Sequence, residues 1–219
     1  KPIPYYFDFC DFPEVASYIT SYGVDGQLYQ QKAGDNEGVT PLANNTGSYV
    51  SCYEMQMGPS GTISSGWGYL EYRTAYSKSE YNWWNLLHYD VLGINIGYNG
   101  TLTMNVPTIL SGRYKVTLGF AYASSMNFMR LAGDVPSEGS NGGRTSFTFD
   151  DDLGKSVSTA IYAAVPVDEL NCYKVELFSE LEFTATRSHK LQLVVLDPAA
   201  STHKNFRLQL DYLLFEPIN

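Results

Sequence analysis

The sequence predicts an all-β sandwich. Apolar and polar residues alternate from Tyr114 to Tyr122, within the stretch 113–133, with the two-residue period of a strand that buries one face. Short segments of this kind recur at fairly even spacing between polar turns, and the last of them, 206–215, becomes continuously apolar towards its end. No long helical pattern follows residue 23. These three features together favour two packed antiparallel sheets over any helical or mixed fold.

The length of 219 residues allows a single domain with a sizeable core. We expect residues 1–48 to form an N-terminal segment packed on a sandwich domain of residues 49–219. Charged residues make up 17% of the chain, below the roughly 25% of an average domain, whereas 18 tyrosines and 19 glycines are present. This composition is typical of a β protein with aromatic surfaces.

The net charge of −9 argues against a nucleic-acid partner, because phosphate backbones are bound by clustered Lys and Arg, of which there are only 14. No apolar run approaches the ~18 to 20 residues of a membrane-spanning helix. The acidic chain is therefore predicted to be soluble as given, and to suit an extracellular or cell-surface protein with neutral partners. The abrupt start at Lys1 leaves room for a removed signal or a preceding domain.

Cys10, Cys52 and Cys172 match no zinc or redox spacing. Two interpretations stay open. The three cysteines are isolated buried thiols, or two of them form one disulfide and leave a spare thiol.

The first residues are unusually aromatic, and we predict that the run 5–12 packs on the domain rather than forming a free tail. Pro13 and the helical spacing of apolar residues up to Tyr22 predict a short helix that Asp11 caps and Gly23 ends. Residues 32–48 form a polar loop.

Two hairpins are predicted in the middle of the chain. Asn99-Gly100 joins a strand over 93–98 to a return strand over 101–106. A second hairpin joins the first half of the stretch 113–133 to a strand over 127–131, and we expect it to be central to the sandwich. The other predicted strands cover 49–57, 145–149, 157–164, 173–185, 189–196 and 206–215.

Large aromatic residues next to amides are the main functional signal. Trp67, Trp83, Trp84 and Tyr98 are accompanied by Asn82, Asn85 and Asn99. Flat rings stack on the C–H face of a pyranose while amides bond its hydroxyl groups, so this combination fits carbohydrate binding. The alternative is that these rings fill the core. Trp83 and Trp84 are adjacent, and neighbouring side chains on a strand point to opposite faces, so at least one of the two is expected outside the core.

No catalytic motif is present, and His88, His189 and His203 occur singly. The acidic run 150–152, together with Asp134 and Glu138, offers carboxylates for glycoside hydrolysis or oxygen ligands for calcium. The more usual role of an acidic run beside a glycine such as Gly154 is a solvated turn. We predict that the protein is not an enzyme.

Several segments, in order, resemble the core of galactose-binding-like jelly rolls, and among these the carbohydrate-binding modules of families 6 and 35. The matching pieces are the Gly-x-x-x-Gly-Tyr turn 93–98, the Val-Pro strand end 106–107, the Gly-x-Tyr-x-Val-x-Leu strand 112–118, the strand start 188–193 and the last strand 209–215. The resemblance covers roughly residues 50–217 and implies a jelly-roll sandwich. In it His189 falls at a structural position.

The resemblance also implies a noncatalytic sugar site at the loop edge. Tyr98 falls at the first stacking aromatic, Tyr173 near the second, which is usually Trp, and Gln209 where an Asn usually bonds the sugar. The calcium site of such modules implies ligands from an early Glu-x-Glu strand and the final Asp. Here Glu54 keeps one of the two early acids and Asp211 is the final one.

The overall style of the sequence is similar to surface lipoproteins that gut Bacteroidetes encode with glycan-uptake systems, where a jelly roll follows fasciclin-like repeats. This likeness implies an outer-membrane lipoprotein whose anchor lies outside this chain. We therefore predict a cell-surface module for glycan utilisation that binds a polysaccharide. The alternative is an adhesion or assembly module that binds a surface protein through its Trp and Tyr residues.

Overall fold

The computed structural model describes residues 3–13, 15, 29–30, 40–41, 49–53, 62–64, 69–74, 90–95, 101–121, 145–167, 172–195 and 207–219. Short 3₁₀ turns cover Phe9–Asp11 and Ala160–Ala163. The strands are β1 Tyr5–Asp8, β2 Tyr29–Gln30, β3 Thr40–Pro41, β4 Tyr49–Tyr53, β5 Thr62–Ser64, β6 Tyr69–Thr74, β7 Asp90–Asn95, β8 Thr101–Asn105, β9 Gly112–Ala121, β10 Thr145–Asp151, β11 Gly154–Ser158, β12 Val165–Pro166, β13 Cys172–Phe183, β14 Lys190–Val195 and β15 Arg207–Pro217.

The strands form two main antiparallel sheets. The large sheet has the order β12-β13-β9-β15-β7-β6-β4, and β1 pairs with β15 beside this path. The small sheet has the order β11-β10-β14-β8-β5, and β2 pairs with β3 separately. The chain is therefore an all-β sandwich, as the alternation of apolar residues predicted.

The core lies between these two sheets. Every second residue of the central strands is buried, because alternate side chains point to opposite faces of a sheet. The large sheet contributes Tyr114, Val116, Leu118, Phe120, Leu213 and Phe215, and the small sheet contributes Leu102, Met104, Phe147, Phe149, Leu191 and Leu193.

Strand β9, which covers the first half of the stretch 113–133, lies inside the large sheet, so this half has the central place that was predicted for the whole hairpin. Its register with β13 runs from Cys172 opposite Ala121 to Phe183 opposite Gly112. Its other edge pairs with β15, from Gln209 opposite Ala121 to Pro217 opposite Tyr114. The predicted hairpin partner over 127–131 lies outside the described residues. It does not pair with β9 as predicted, because both edges of β9 are paired with β13 and β15 up to Ala121.

The hairpin predicted at Asn99-Gly100 is also wrong. Strand β7 pairs with β6 and β15 in the large sheet. Strand β8 pairs with β14 and β5 in the small sheet. The chain therefore crosses between the sheets here instead of turning back within one of them.

The N-terminal residues belong to the sandwich. β1 pairs with β15 from Tyr5 opposite Phe215 to Asp8 opposite Tyr212. Asp8 caps the following 3₁₀ turn, since its Oδ1 accepts a hydrogen bond of 2.8 Å from the N–H of Cys10. Phe9 and Phe12 are buried and stack with ring centroids 4.8 Å apart.

Pro13 and Val15 have helical backbone, and the rest of the predicted helix lies outside the described residues. The division of the chain at residue 48 stays a prediction. The predicted strand over 157–164 is split, because β11 ends at Ser158 and a 3₁₀ turn follows at Ala160–Ala163.

Cys10 and Cys172 are buried thiols, and the side chain of Cys52 lies outside the described part. In the portion of the chain that the structure describes, no helix has the length and apolarity needed to cross a membrane.

Candidate functional site

The register of the strands defines two ends of the sandwich. In the large sheet, Ala121 lies opposite both Cys172 and Gln209, and Asn95 lies opposite Arg207 and Tyr69. We call this the Cys172 end. The far end, where Asp151, Gly154, Phe183 and Lys190 begin or end their strands, is the Asp151 end.

The small sheet shares the Cys172 end. Thr101 starts β8 opposite Ser64, the last residue of β5. Thr145 starts β10 opposite Val195, the last residue of β14. Residues 96–100 join Asn95 to Thr101, so these strand ends of both sheets meet at the same edge of the sandwich.

Two of the predicted ligand-binding segments are joined to this end. Tyr98 and Asn99 occur between Asn95 and Thr101, and Trp67 occurs between Ser64 and Tyr69. All three residues lie outside the described residues. The strand ends that flank them lie at the Cys172 end.

Trp83 and Trp84 also lie outside the described residues, but their flanking strand ends differ. They occur between Thr74 and Asp90, which lie opposite each other at the Asp151 end of the large sheet. The strand ends that flank Trp83 and Trp84 therefore lie at the Asp151 end, whereas those that flank Trp67 and Tyr98 lie at the Cys172 end. Only one of these ends also holds Tyr173 and Gln209.

Tyr173 lies at the rim of the core at the Cys172 end. It is half-buried, and its ring stacks on Phe120 with centroids 5.7 Å apart and planes inclined by 20°. Because Tyr173 lies opposite Phe120, both side chains are on the core face of the large sheet. One face of the Tyr173 ring, which was predicted as the second stacking aromatic, therefore packs on Phe120.

Gln209 lies on the other face of the same sheet. It is opposite Ala121, which in turn is opposite Cys172, and all three residues are buried. The structure thus brings Tyr173 and Gln209 to the same end but on opposite faces of the sheet, whereas the resemblance implied a shared site.

Asp211 occupies a bulge in β15. Leu210 lies opposite Phe120 and Tyr212 lies opposite the next residue, Gly119, so Asp211 is the extra residue. Asp211 is buried. Burial, followed by the charges of Asp211, Tyr6 and Cys172, raises the pKa of Tyr212 to about 12, so its phenol stays protonated at physiological pH.

Of the two predicted calcium ligands, Asp211 lies in the described part of the chain. The buried carboxylate of Asp211 suits the oxygen ligands that calcium takes. Its predicted partner Glu54 lies outside the described residues. Those residues that are described contain no group of three or more His, Cys, Asp or Glu side chains arranged to hold a metal ion.

The acidic run at the Asp151 end is occupied by hydrogen bonds within a turn. Asp151 accepts from the N–H of Leu153 at 3.0 Å and contacts the hydroxyl of Ser156. Asp152 accepts from the N–H of Ala185 at 2.7 Å and from Nε of Arg187 at 2.7 Å. Burial alone would raise the pKa of Asp152, but these bonds and the Arg187 charge lower it. The arrangement favours the interpretation of this run as a turn.

His189 is buried beside this turn. Its ring stacks on Phe183 with centroids 4.0 Å apart, and its Nδ1 lies 3.1 Å from the carbonyl oxygen of Asp150. Among the described residues, its Nε2 has no partner in good hydrogen-bond geometry. Burial, and to a lesser degree the Arg187 charge, lowers the pKa of His189 below its ordinary value of 6.5.

We therefore expect acid to destabilise the protein through His189. The unfolded chain takes up the proton near the ordinary pKa of 6.5, while the folded chain takes it up only at lower pH. The free energy of unfolding should fall as the pH decreases from about 7.5 to about 5.5, because the unfolded state binds more protons in this range. Urea unfolding at several pH values measures this slope.

His189→Gln is the matched variant, since His88 and His203 are kept in both proteins. The variant should show a shallower slope over the same pH range than the parent protein. Equal slopes in the two proteins would mean that His189 does not carry the effect.

Sequence reasoning missed one exposed aromatic residue. Tyr6 is 59% exposed and lies on the face of the large sheet that points away from the core. Strand alternation in Tyr5-Tyr6-Phe7 is the signal that would have found it, because Tyr5 and Phe7 pack against the core and Tyr6 must point the other way.

These features define an all-β sandwich with strand ends of both sheets gathered at the Cys172 end. Residues 7–218 match the model of a family described as Domain of unknown function (DUF5108), and the chain belongs to this family. A comparison with curated proteins finds no match.

A comparison with solved structures finds distant likenesses. A xanthan lyase from Paenibacillus is 11% identical, covers 85% of this chain and 14% of its own, and has a TM-score of 0.41. A xylanase fragment from Clostridium thermocellum, comprising CBM22-1 and GH10 modules in complex with xylohexaose, is 13% identical, covers 73% of this chain and 26% of its own, and has a TM-score of 0.35. The insecticidal crystal protein Cry2Aa is 11% identical and has a TM-score of 0.35. The match covers 84% of this chain and 24% of the Cry2Aa chain.

The chain spans no more than about a quarter of these three structures. Likenesses of this strength support no conclusion about function.

Proposed function

We propose that this protein is a noncatalytic, extracellular or cell-surface module that binds a glycan at the Cys172 end. The observation that carries the proposal is the gathering of strand ends there. The strand ends that flank Tyr98, Asn99 and Trp67 lie at this end, and Tyr173 lies at the same end of the large sheet.

The residue chemistry at this end supports a sugar ligand. Aromatic rings supply flat apolar surface for a pyranose, and the amide of Asn99 supplies hydrogen bonds for hydroxyl groups. The order of motifs that resembles carbohydrate-binding modules is a separate, sequence-based support for the same ligand class. The net charge of −9 favours neutral over anionic glycans.

The test is isothermal titration calorimetry with a panel of neutral soluble polysaccharides and their hexasaccharides. We expect saturable binding, and we expect Tyr98→Ala to weaken it by about tenfold, which is the loss of roughly one well-packed aromatic contact. Trp67→Ala should act in the same direction.

Trp83→Ala and Trp84→Ala serve as comparison variants, because their flanking strand ends lie at the Asp151 end. Each should leave the affinity within about twofold of the parent protein. Loss of binding in these variants, with Tyr98→Ala unaffected, would move the site to the other end. A folded protein that binds none of the sugars would contradict the proposal and favour a module that binds a surface protein.

Calcium is included in the same experiment. If Asp211 and Glu54 hold calcium, a chelator should lower the melting temperature of the parent protein, because a ligand that binds only the folded state stabilises it. Asp211→Asn should remove this dependence. An unchanged melting temperature in the parent protein would contradict a calcium site.

A further inference from the structure

The outer face of the large sheet, which points away from the core, carries an ordered row of side chains. Tyr6 lies opposite Leu214. Leu214 lies opposite Thr117, and Thr117 lies opposite Glu176. Residues directly opposite each other in antiparallel strands share a face, so these four side chains form one row across β1, β15, β9 and β13.

Tyr6 is the exposed member of this row. Among the aromatic residues whose side chains the structure describes, Tyr6 is exposed, and the others are buried or half-buried. The other side of its strand packs on the core through Tyr5 and Phe7, so the position of the Tyr6 ring is fixed by the backbone pairing of β1.

A second ring supports Tyr6. Tyr212 contacts it edge to face, with centroids 5.4 Å apart and planes inclined by 63°. The ring of Tyr212 lies directly on the backbone of Gly119, where a Cβ atom would come within 2.2 Å of it. Tyr212 therefore fills the space above Gly119 beside the row, and Tyr6 stands at one margin of the row with Leu214 and Thr117 next to it.

Two basic side chains beside the row are paired with acidic ones. Lys115 pairs with Glu216 at 3.0 Å and Arg113 pairs with Glu180 at 2.9 Å on the same face. This surface offers no excess of positive charge to attract a polyanion, and the chain as a whole is acidic. Thr117 and Glu176 provide hydrogen-bonding groups within the row.

We propose that this row is a second glycan subsite, in which a neutral oligosaccharide crosses the strands from Tyr6 to Glu176. A pyranose ring stacks on Tyr6, and hydroxyl groups further along the sugar chain bond Thr117 and Glu176. The four residues span three strand spacings, or about 14 Å, which calls for a chain of several sugars rather than a single ring. The ligand class rests on the proposed function, but the location is separate from the Cys172 end.

Tyr6 comes from the N-terminal strand, which lies outside the part of the sequence that resembles carbohydrate-binding modules. The resemblance therefore does not imply this subsite. It follows from the register of β1 and from the exposure of one ring.

The experiment titrates the full chain with xylohexaose, cellohexaose and a linear galactohexaose by calorimetry. For the sugar that binds, we expect two sites per chain in the parent protein and one site in Tyr6→Ala. Tyr6→Phe should keep both sites, because it retains the stacking ring. Leu153→Ala removes an apolar side chain that is 68% exposed at the far end of the molecule, and it should keep both sites as the matched control.

A second measurement places the sugar. In the Tyr98→Ala variant, the backbone amide signals of Leu214, Thr117 and Glu176 should still shift in NMR spectra when the hexasaccharide is added. Adding Tyr6→Ala to that variant should abolish these shifts.

The possible results separate the two proposals. If Tyr6→Ala leaves the number of sites and the amide shifts unchanged while Tyr98→Ala weakens binding, the row is not a subsite and the proposed function stands. If Tyr6→Ala removes all binding and Tyr98→Ala removes none, the row stands and the Cys172 end fails. If the parent protein binds none of the three hexasaccharides, the row is overturned, whatever longer glycans bind at the Cys172 end.

Discussion

Phe215→Ala is expected to lower the free energy of unfolding by about 3 to 5 kcal/mol, the usual cost of removing a buried phenylalanine ring. Phe215 is fully buried, and it contacts aromatic rings from both sheets. Its ring centroid lies 5.6 Å from Phe7 in the large sheet and 5.8 Å from Phe149 in the small sheet. Truncation would leave a cavity between the two sheets, which the surrounding rings cannot fill without leaving their own contacts.

Urea unfolding followed by circular dichroism measures this loss. Phe215→Leu should cost considerably less, because most of the apolar volume is retained. Leu153→Ala, an exposed position in a turn, should change the free energy of unfolding by less than about 0.5 kcal/mol. A Phe215→Ala protein as stable as this control would show that the ring does not hold the layers together.

Gly119→Ala is expected to lower the free energy of unfolding by about 1 to 3 kcal/mol, as overpacking of a close contact does. A Cβ at this position would lie 2.2 Å from Cε1 and 2.6 Å from Cδ1 of Tyr212. The ring would have to move away from the sheet, and it would lose both its burial and its edge-to-face contact with Tyr6.

A double-mutant cycle with Tyr212→Ala tests this explanation. Once the ring is absent, the added methyl group has room, so Gly119→Ala should cost at least about 1 kcal/mol less in the Tyr212→Ala background than in the parent protein. Equal costs in the two backgrounds would mean that the ring of Tyr212 is not the cause.

The individual strands could be predicted because alternation reports burial directly. In β9, Tyr114, Val116, Leu118 and Phe120 all point into the core, and these are the apolar residues of the alternating stretch. The partners of the strands could not be predicted in this way. Alternation says which face of a strand is buried, but it does not say which of its edges finds which neighbour.

Both failed hairpins follow from this limit. Asn99-Gly100 suits a tight turn, yet β7 is paired on both edges within the large sheet and β8 is paired on both edges within the small sheet. A turn signal such as Asn-Gly is compatible with a hairpin within one sheet, and equally with a connection that takes the chain from one sheet to the other.

The candidate site shows the same division. Tyr173 and Gln209 were both expected near a ligand, and the structure puts both at one end of the sandwich. Their side chains point to opposite faces because Tyr173 lies opposite Phe120 and Gln209 lies opposite Ala121. The register between strands that are distant in the chain cannot be predicted from the sequence of either strand alone. Tyr98, Asn99, Trp67, Trp83, Trp84 and Glu54 lie outside the described residues, so their roles stay predictions.

The bulge at Asp211 changes which residues of β15 face the core. Before it, Leu210 faces the core, and after it Leu213 and Phe215 do, so the inward positions change from even to odd numbers within one strand. This change of phase explains why the buried apolar residues fall at Leu210 and then at Leu213 and Phe215. The run 212–215 is continuously apolar because Tyr212 and Leu214, on the outer face, are half-buried as well. The single extra residue sets which side chains face the core in the rest of β15. Deleting it or inserting another residue there would move Leu213 and Phe215 to the outer face and Tyr212 and Leu214 to the core face.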